Sequence, residues 1–327
     1  MMTRILTRAD IQSLLSFDDY VREVERAFRL YADGLALKPG LLHTDAPDGE
    51  FHVKAGGLAL SRVYYGVKIN GAFFQNMARL GMPNIQGTIV LCDGENGQPL
   101  AFMDSGEITV QRTGAASALA ARYLARADSR VATICGCGRQ GRVQLRALTH
   151  ALPIRRVYAF DQDHGAAERF ALEMAAAFGI EVIPTSDPDG AIRQSDVCAT
   201  CTPSRRAYVH ASAISPGLFI AAVGADSPDK QELDPAILRA AAVVVDVLEQ
   251  CAAVGELHHA LSSGLMTRAD VRAELGEVIT GRKPGRTSPD EVLVYDATGT
   301  ALQDVGAAAA AYERAVERDV GSVVTLA

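Results

Sequence analysis

Three glycines stand at fixed spacing in Gly136-Cys137-Gly138-Arg139-Gln140-Gly141, a G-x-G-x-x-G run. An apolar, β-leaning segment, Val131–Cys135 (VATIC), precedes it, and a helical pattern opens after Arg139. In that setting each glycine has its own task. Gly136 permits a tight turn, Gly138 lets a ligand approach the backbone, and Gly141 lets the helix lie close to the strand. The helix start offers free N–H groups and the positive end of a dipole, which suit a pyrophosphate. The next strand-like segment, Arg156–Phe160, ends at Asp161, 20 residues past Gly141. A carboxylate there can accept hydrogen bonds from ribose hydroxyls and would repel a 2′-phosphate. The pattern therefore predicts a nicotinamide dinucleotide site that favours NAD. Arg139 and His164 nearby keep NADP open.

Two further loops follow predicted strands and lie at their carboxyl ends, where open α/β sheets bind ligands. Thr202-Pro203-Ser204 follows 197–201, and Val223-Gly224-Ala225-Asp226 follows 218–222. The Thr202 loop reads equally as a plain turn. Cys198 and Cys201 form a C-x-x-C, but no second pair accompanies them, and His258-His259 has no helical carboxylate signature beside it. Neither supports zinc, and no metal is expected.

The elements that must hold these residues are legible in outline. Residues 17–32 place Tyr20, Val21, Val24, Ala27, Phe28 and Tyr31 on one helical face, with Ser16 as cap. Short β-leaning segments separated by Gly, Asn or Pro then run to about residue 104, with a hairpin turn at 93–97. Residues 107–127 look helical. From Val131 onward apolar strands alternate with helices, the pattern of a parallel sheet covered on both sides. After Gly299 an Ala-rich helix, 307–318, is expected to return to the first domain. The fold class is α/β: a Rossmann dinucleotide-binding domain, 113–299, plus an α+β substrate-binding and dimerisation domain from 1–112 and 300–327.

Composition narrows the function. The 327 residues are 48% hydrophobic and 22% charged, with net charge −7. No basic run marks a nucleic-acid surface, no segment is long and apolar enough to span a bilayer, and no signal peptide is read near Met1. Six cysteines without that signal point to reduced thiols in a cytoplasm.

Several of these motifs occur together in one known family. The segments 66–70 (GVKIN), 107–117 (EITVQRTGAAS), the Gly136 loop, 222–232 (AVGADSPDKQE) and 296–304 (DATGTALQD) resemble the ornithine cyclodeaminase/mu-crystallin family over nearly the whole chain. The resemblance implies a homodimer and an NAD-linked reaction on a small amino or imino acid. It implies Lys68 and Arg112 facing the substrate, with Asp226 on the cofactor side. The chemistry agrees: a guanidinium at a helix start can bind a carboxylate bidentately, and a buried Lys can exchange a proton at a C=N centre. Taken alone, Lys68 could equally be a solvated strand residue, Arg112 a local cap, and Asp226 a turn stabiliser. Asn84 is assigned to the substrate side and Thr113 to the cofactor side.

One departure concerns specificity. The resemblance implies a further substrate arginine, but residues 38–43 contain none, and the carboxylate expected to meet a distal amine falls near His52. His43, His52 and Lys54 stand there instead. A cationic pocket would suit a second substrate carboxylate, as in iminosuccinate; Glu50 nearby opposes that. Three readings stay open: a reductase of imino acids, including iminosuccinate or pyrroline-2-carboxylate; a cyclodeaminase that uses NAD catalytically; and a non-catalytic NAD(H)-binding protein.

Overall fold

The computed structural model describes residues 2–326. The chain divides into two compact units, one of residues 1–115 with 300–327 and one of residues 116–299.

The first unit is built on a seven-stranded sheet. In chain order its strands are β1 (Met2–Leu6), β2 (Ala36–Ala46), β3 (Gly49–Ala59), β4 (Val63–Ala72), β5 (Ile85–Asp93) and β6 (Pro99–Asp104), with Ser322–Thr325 pairing on β1. β2 to β6 form an antiparallel meander, and β1 joins β6 in parallel. The hairpin turn after Asp93 uses Gly97 at φ 79°. Strand alternation sends Glu50, His52 and Lys54 of β3, and Gly66, Lys68 and Asn70 of β4, to the covered face. Phe51 and Ile69 point to the other, exposed face.

The helix Phe17–Ala32 forms as its pattern predicts. Ser16 and Asp19 make a reciprocal capping box, and Tyr20, Val21, Val24, Ala27 and Phe28 are buried. The helix expected at 107–127 is Ser105–Leu124, so Arg112 lies two turns inside it rather than at its start. The C-terminal helix is Ala301–Arg318, six residues longer than the alanine run alone suggested. Its first turns press onto the covered face of the sheet. A Cβ on Gly56 would meet Ala301 Cβ at 3.2 Å, and one on Gly66 would meet Val305 Cγ2 at 2.7 Å. Those two glycines admit the helix.

The second unit is a doubly wound parallel sheet in the order β15-β14-β16-β12-β10-β7-β8-β9. Its strands are β7 (Val131–Cys135), β8 (Arg156–Phe160), β9 (Glu181–Thr185), β10 (Val197–Thr200), β12 (Phe219–Ala222), β14 (Ala242–Val245), β15 (Ala273–Glu274) and β16 (Leu293–Asp296). A separate parallel pair joins β11 (Arg205–Val209) to β13 (Gln231–Leu233). The central strands β10 and β12 are buried at every position, which is why their sequences run apolar without alternation. Chain order reverses between β7 and β10, the switch point of a Rossmann-type sheet.

Candidate functional site

At that switch point the second unit holds a cavity of about 390 Å³. It is lined by Gly136, Gly138, Phe160, Asp161, Thr202 and Pro203, among others. Gly136 sits at φ 104°, reachable without strain only for glycine. A Cβ on Gly141 would fall 2.0 Å from the Gly136 carbonyl oxygen, so the helix Arg139–Ala151 can start there only with glycine. A Cβ on Gly138 would meet no protein atom; its backbone is open toward solvent, as close approach by a pyrophosphate requires. Asp161 Oδ2 accepts the Cys137 N–H at 2.9 Å, and its Oδ1 accepts the Asp163 N–H. The same carboxylate thus shapes the loop and faces the cavity. These residues fit a dinucleotide.

Not every expected cofactor residue lines this cavity. Arg139 is exposed on the first turn of the helix, and Gln140 follows it, half-buried. Val223 and Gly224 follow β12, but Gly224 is demanded by packing: a Cβ there would stand 2.3 Å from Glu232 Oε2. Thr113 lies in the first unit, where its hydroxyl donates to the Thr109 carbonyl. Glu232 and Tyr208 were not foreseen. Glu232 Oε1 accepts from the Thr202 N–H and hydroxyl, each at 2.7 Å, and from Tyr208 OH, while Oε2 accepts from Gly224 N–H. This buried acid fixes both loops at the carboxyl ends of β10 and β12. Asp226 is paired with Lys230 at 2.8 Å and keeps about a third of its side chain exposed.

The first unit gathers the substrate-side candidates. Lys68, 2% exposed, places Nζ 2.6 Å from Asp304 Oδ2. Arg112 donates from Nε to Asp304 Oδ1 at 2.9 Å and from Nη1 to Gln303 Oε1 at 2.8 Å. One carboxylate, brought in by the C-terminal helix, therefore holds both cations. Burial pulls the Lys68 ammonium down to about 7, with Arg112 adding to the fall and Asp304 opposing it. Burial alone would raise the Asp304 carboxyl, but Arg112 and Lys68 more than offset this and hold it below its ordinary value. A signal for Asp304 was present: Gln303-Asp304 interrupts an otherwise small and apolar helix face.

Lys54 is buried and opposite Lys68 in the strand register. Asn84 lies elsewhere, in the turn before β5. Its carbonyl accepts the Phe73 N–H and its side chain accepts the Met77 N–H, so it ties that turn together. The trio His43, His52 and Lys54 does share the covered face, but not as a purely cationic group. Glu50 Oε1 lies 3.2 Å from His52 Nε2, and Glu50 Oε2 lies 3.9 Å from His43 Nε2. Among the described residues, His43, Glu50 and His52 form the group whose ligand atoms converge as a metal would require. The expectation of no metal rested on Cys198, Cys201 and His258-His259 and passed over this one. His258 and His259 point instead to the Ala252 and Lys230 carbonyls.

Comparison with known proteins places the chain among relatives of the same fold. The profile of the ornithine cyclodeaminase/mu-crystallin family matches residues 1–319. This chain belongs to that family. An archaeal alanine dehydrogenase, solved as a dimer with bound NAD, superposes with a TM-score of 0.94 at 40% identity, covering all of both chains. The Thermococcus litoralis Δ1-pyrroline-2-carboxylate reductase, solved with NADH and L-proline, gives a TM-score of 0.93 at 32% identity over 98% of this chain and 99% of that one. The iminosuccinate reductase of Paracoccus denitrificans is 32% identical over 98% of this chain and 99% of its own.

Proposed function

We propose that this chain is an NAD-dependent oxidoreductase of the C=N/CH–NH2 type, reducing an α-imino acid to the amino acid. The observation that carries the reading is Lys68: a buried ammonium, poised near neutrality and held by Asp304 beside Arg112. Bound at the Gly136 loop, the nicotinamide cofactor supplies the hydride. Asp161 favours NAD over NADP by its charge.

The protein's own part is electrostatic and acid–base. Arg112, with Nε and Nη1 committed to Asp304 and Gln303, presents the rest of its guanidinium to the substrate carboxylate. Lys68 in its ammonium form donates a proton toward the substrate nitrogen, and Asp304 stabilises that form. Asp226, partly exposed, serves as the second proton-handling group, with Lys230 as its counter-charge. Lys54 adds a cation on the same face. Because Glu50 already lies against both imidazoles, the case for a second substrate carboxylate rests on Lys54 rather than on the histidines.

The test is an NADH-oxidation screen: 2-oxo acids with ammonia or methylamine, oxaloacetate with ammonia, and preformed cyclic imines. A reductase consumes NADH in step with product. Turnover of ornithine with no net NADH change would establish the lyase reading instead, and binding of NADH without turnover of any arm would establish the non-catalytic one. The exposed apolar face of β2 to β4, carrying Leu42, Phe51 and Ile69, suits a homodimer. All six cysteines are free thiols, which suits a reducing cytoplasm. No described helix is long and apolar enough to cross a membrane.

A further inference from the structure

His43, Glu50 and His52 sit on one hairpin. His43 of β2 and His52 of β3 are direct cross-strand partners, and Glu50 lies two residues before His52 on the same covered face. Their ligand atoms all fall within 4.8 Å of one another. The two rings meet edge-on, with centroids 4.8 Å apart and planes at 87°. His52 is 6% exposed, and neither of its ring nitrogens makes a hydrogen bond. Its Nε2 is 3.2 Å from Glu50 Oε1, yet the pair is not aligned as donor and acceptor. An imidazole buried without a hydrogen bond is destabilising unless something satisfies it. Atoms that crowd together without bonding one another are what ligands aimed at a common centre look like.

We propose that His43, His52 and Glu50 form a binding site for a divalent first-row transition metal. Two imidazoles and one carboxylate are the donor set such ions favour, and the set leaves coordination positions open. For metal–ligand bonds near 2.0–2.1 Å, tetrahedral donors stand roughly 3.3 Å apart. The carboxylate-to-imidazole separations here are 3.2 Å, from Glu50 Oε1 to His52 Nε2, and 3.9 Å, from Glu50 Oε2 to His43 Nε2, and the widest donor pair, within 4.8 Å, has to close by side-chain rotation. Asp45, whose Oδ1 lies 3.1 Å from His43 Nε2 and whose side chain is largely exposed, can release the ring or join as a fourth donor. One carboxylate leaves the ion with excess positive charge. The open positions therefore favour anionic oxygen ligands such as a carboxylate.

The test titrates chelator-treated full-length protein with Zn2+ by calorimetry and with Co2+ by absorption. The expected result is one equivalent per chain, with cobalt bands of nitrogen and oxygen ligation and no thiolate charge-transfer band. That last readout separates this site from the six cysteines. His52→Ala and Glu50→Gln should each weaken binding at least about tenfold while NADH binding and circular dichroism stay as in the wild type, and His258→Ala should change nothing. Should His52→Ala fail to fold, His43→Ala at the more exposed rim tests the same site. Stoichiometric binding lost in these variants supports the proposal. Absence of binding at 0.1 mM metal (about −5.5 kcal/mol), a thiolate band, or affinity indifferent to His43, Glu50 and His52 overturns it, whatever the imine screen returns.

Discussion

A lysine ammonium enclosed with a guanidinium keeps its proton only because a carboxylate faces both, and the Lys68–Asp304–Arg112 group is built that way. Lys68→Ala should lower kcat by roughly 10²–10⁴ while NADH affinity, followed by fluorescence, stays unchanged; survival of turnover within a few-fold would remove Lys68 as the proton donor. Imine reduction needs the charged form, so kcat should fall as pH rises through about 7, and the oxidative direction should rise over the same interval. Asp304→Asn removes the group that holds the proton on Lys68. The alkaline limb of the reductive profile should then move to lower pH, where a merely structural residue would leave it in place. Truncation to alanine would leave two buried cations uncompensated and should cost about 3–5 kcal/mol of stability. Lys68 and Arg112 were legible as types in motifs, and Asp304 stood out as a polar break in an apolar helix face, but the pairing of the three was not legible. Burial, and a contact 192 residues away from Arg112, are three-dimensional facts that spacing does not carry.

At the scale of elements, glycine decides what can come close. Gly66→Val would place methyl groups where Val305 already stands, 2.7 Å from even a bare Cβ. Overpacking of this kind costs about 1–3 kcal/mol, and it should tilt the helix Ala301–Arg318 and lower kcat along with the thermal midpoint. In the nucleotide loop, Asp161→Ser should shift preference toward NADPH, measured as the ratio of the two kcat/KM values. Part of the NADH loss will come from releasing the Cys137 N–H. The central strands of the second unit were readable to within a residue, because runs such as VATIC and RVYAF are apolar, short and punctuated, whereas β11, β13 and β15 were not read at all. The start of the last helix was not. Ala301, Leu302 and Val305 read as loop beside Gly299 until packing on Gly56 and Gly66 gives the turn a reason to form. The turn that Asn84 ties together was not legible for a similar cause, since a turn held by its own side chain has no periodicity to reveal it.

At the scale of the molecule, the apolar outer face of β2 to β4 predicts self-association. Ile69→Glu with Phe51→Glu should give a smaller species by size-exclusion chromatography with light scattering at micromolar concentration; an unchanged mass would reject that face. Chain order has a consequence of its own. The unit that carries Lys68 and Arg112 takes its counter-charge from residue 304, so during synthesis the first 115 residues wait for the whole of the second unit before their cations can be neutralised. Domains made N-terminal first usually mature in that order. Here the first to emerge is the last to be finished, and a ribosome stalled before residue 300 leaves Lys68 on its strand and Arg112 on its helix without the carboxylate that joins them.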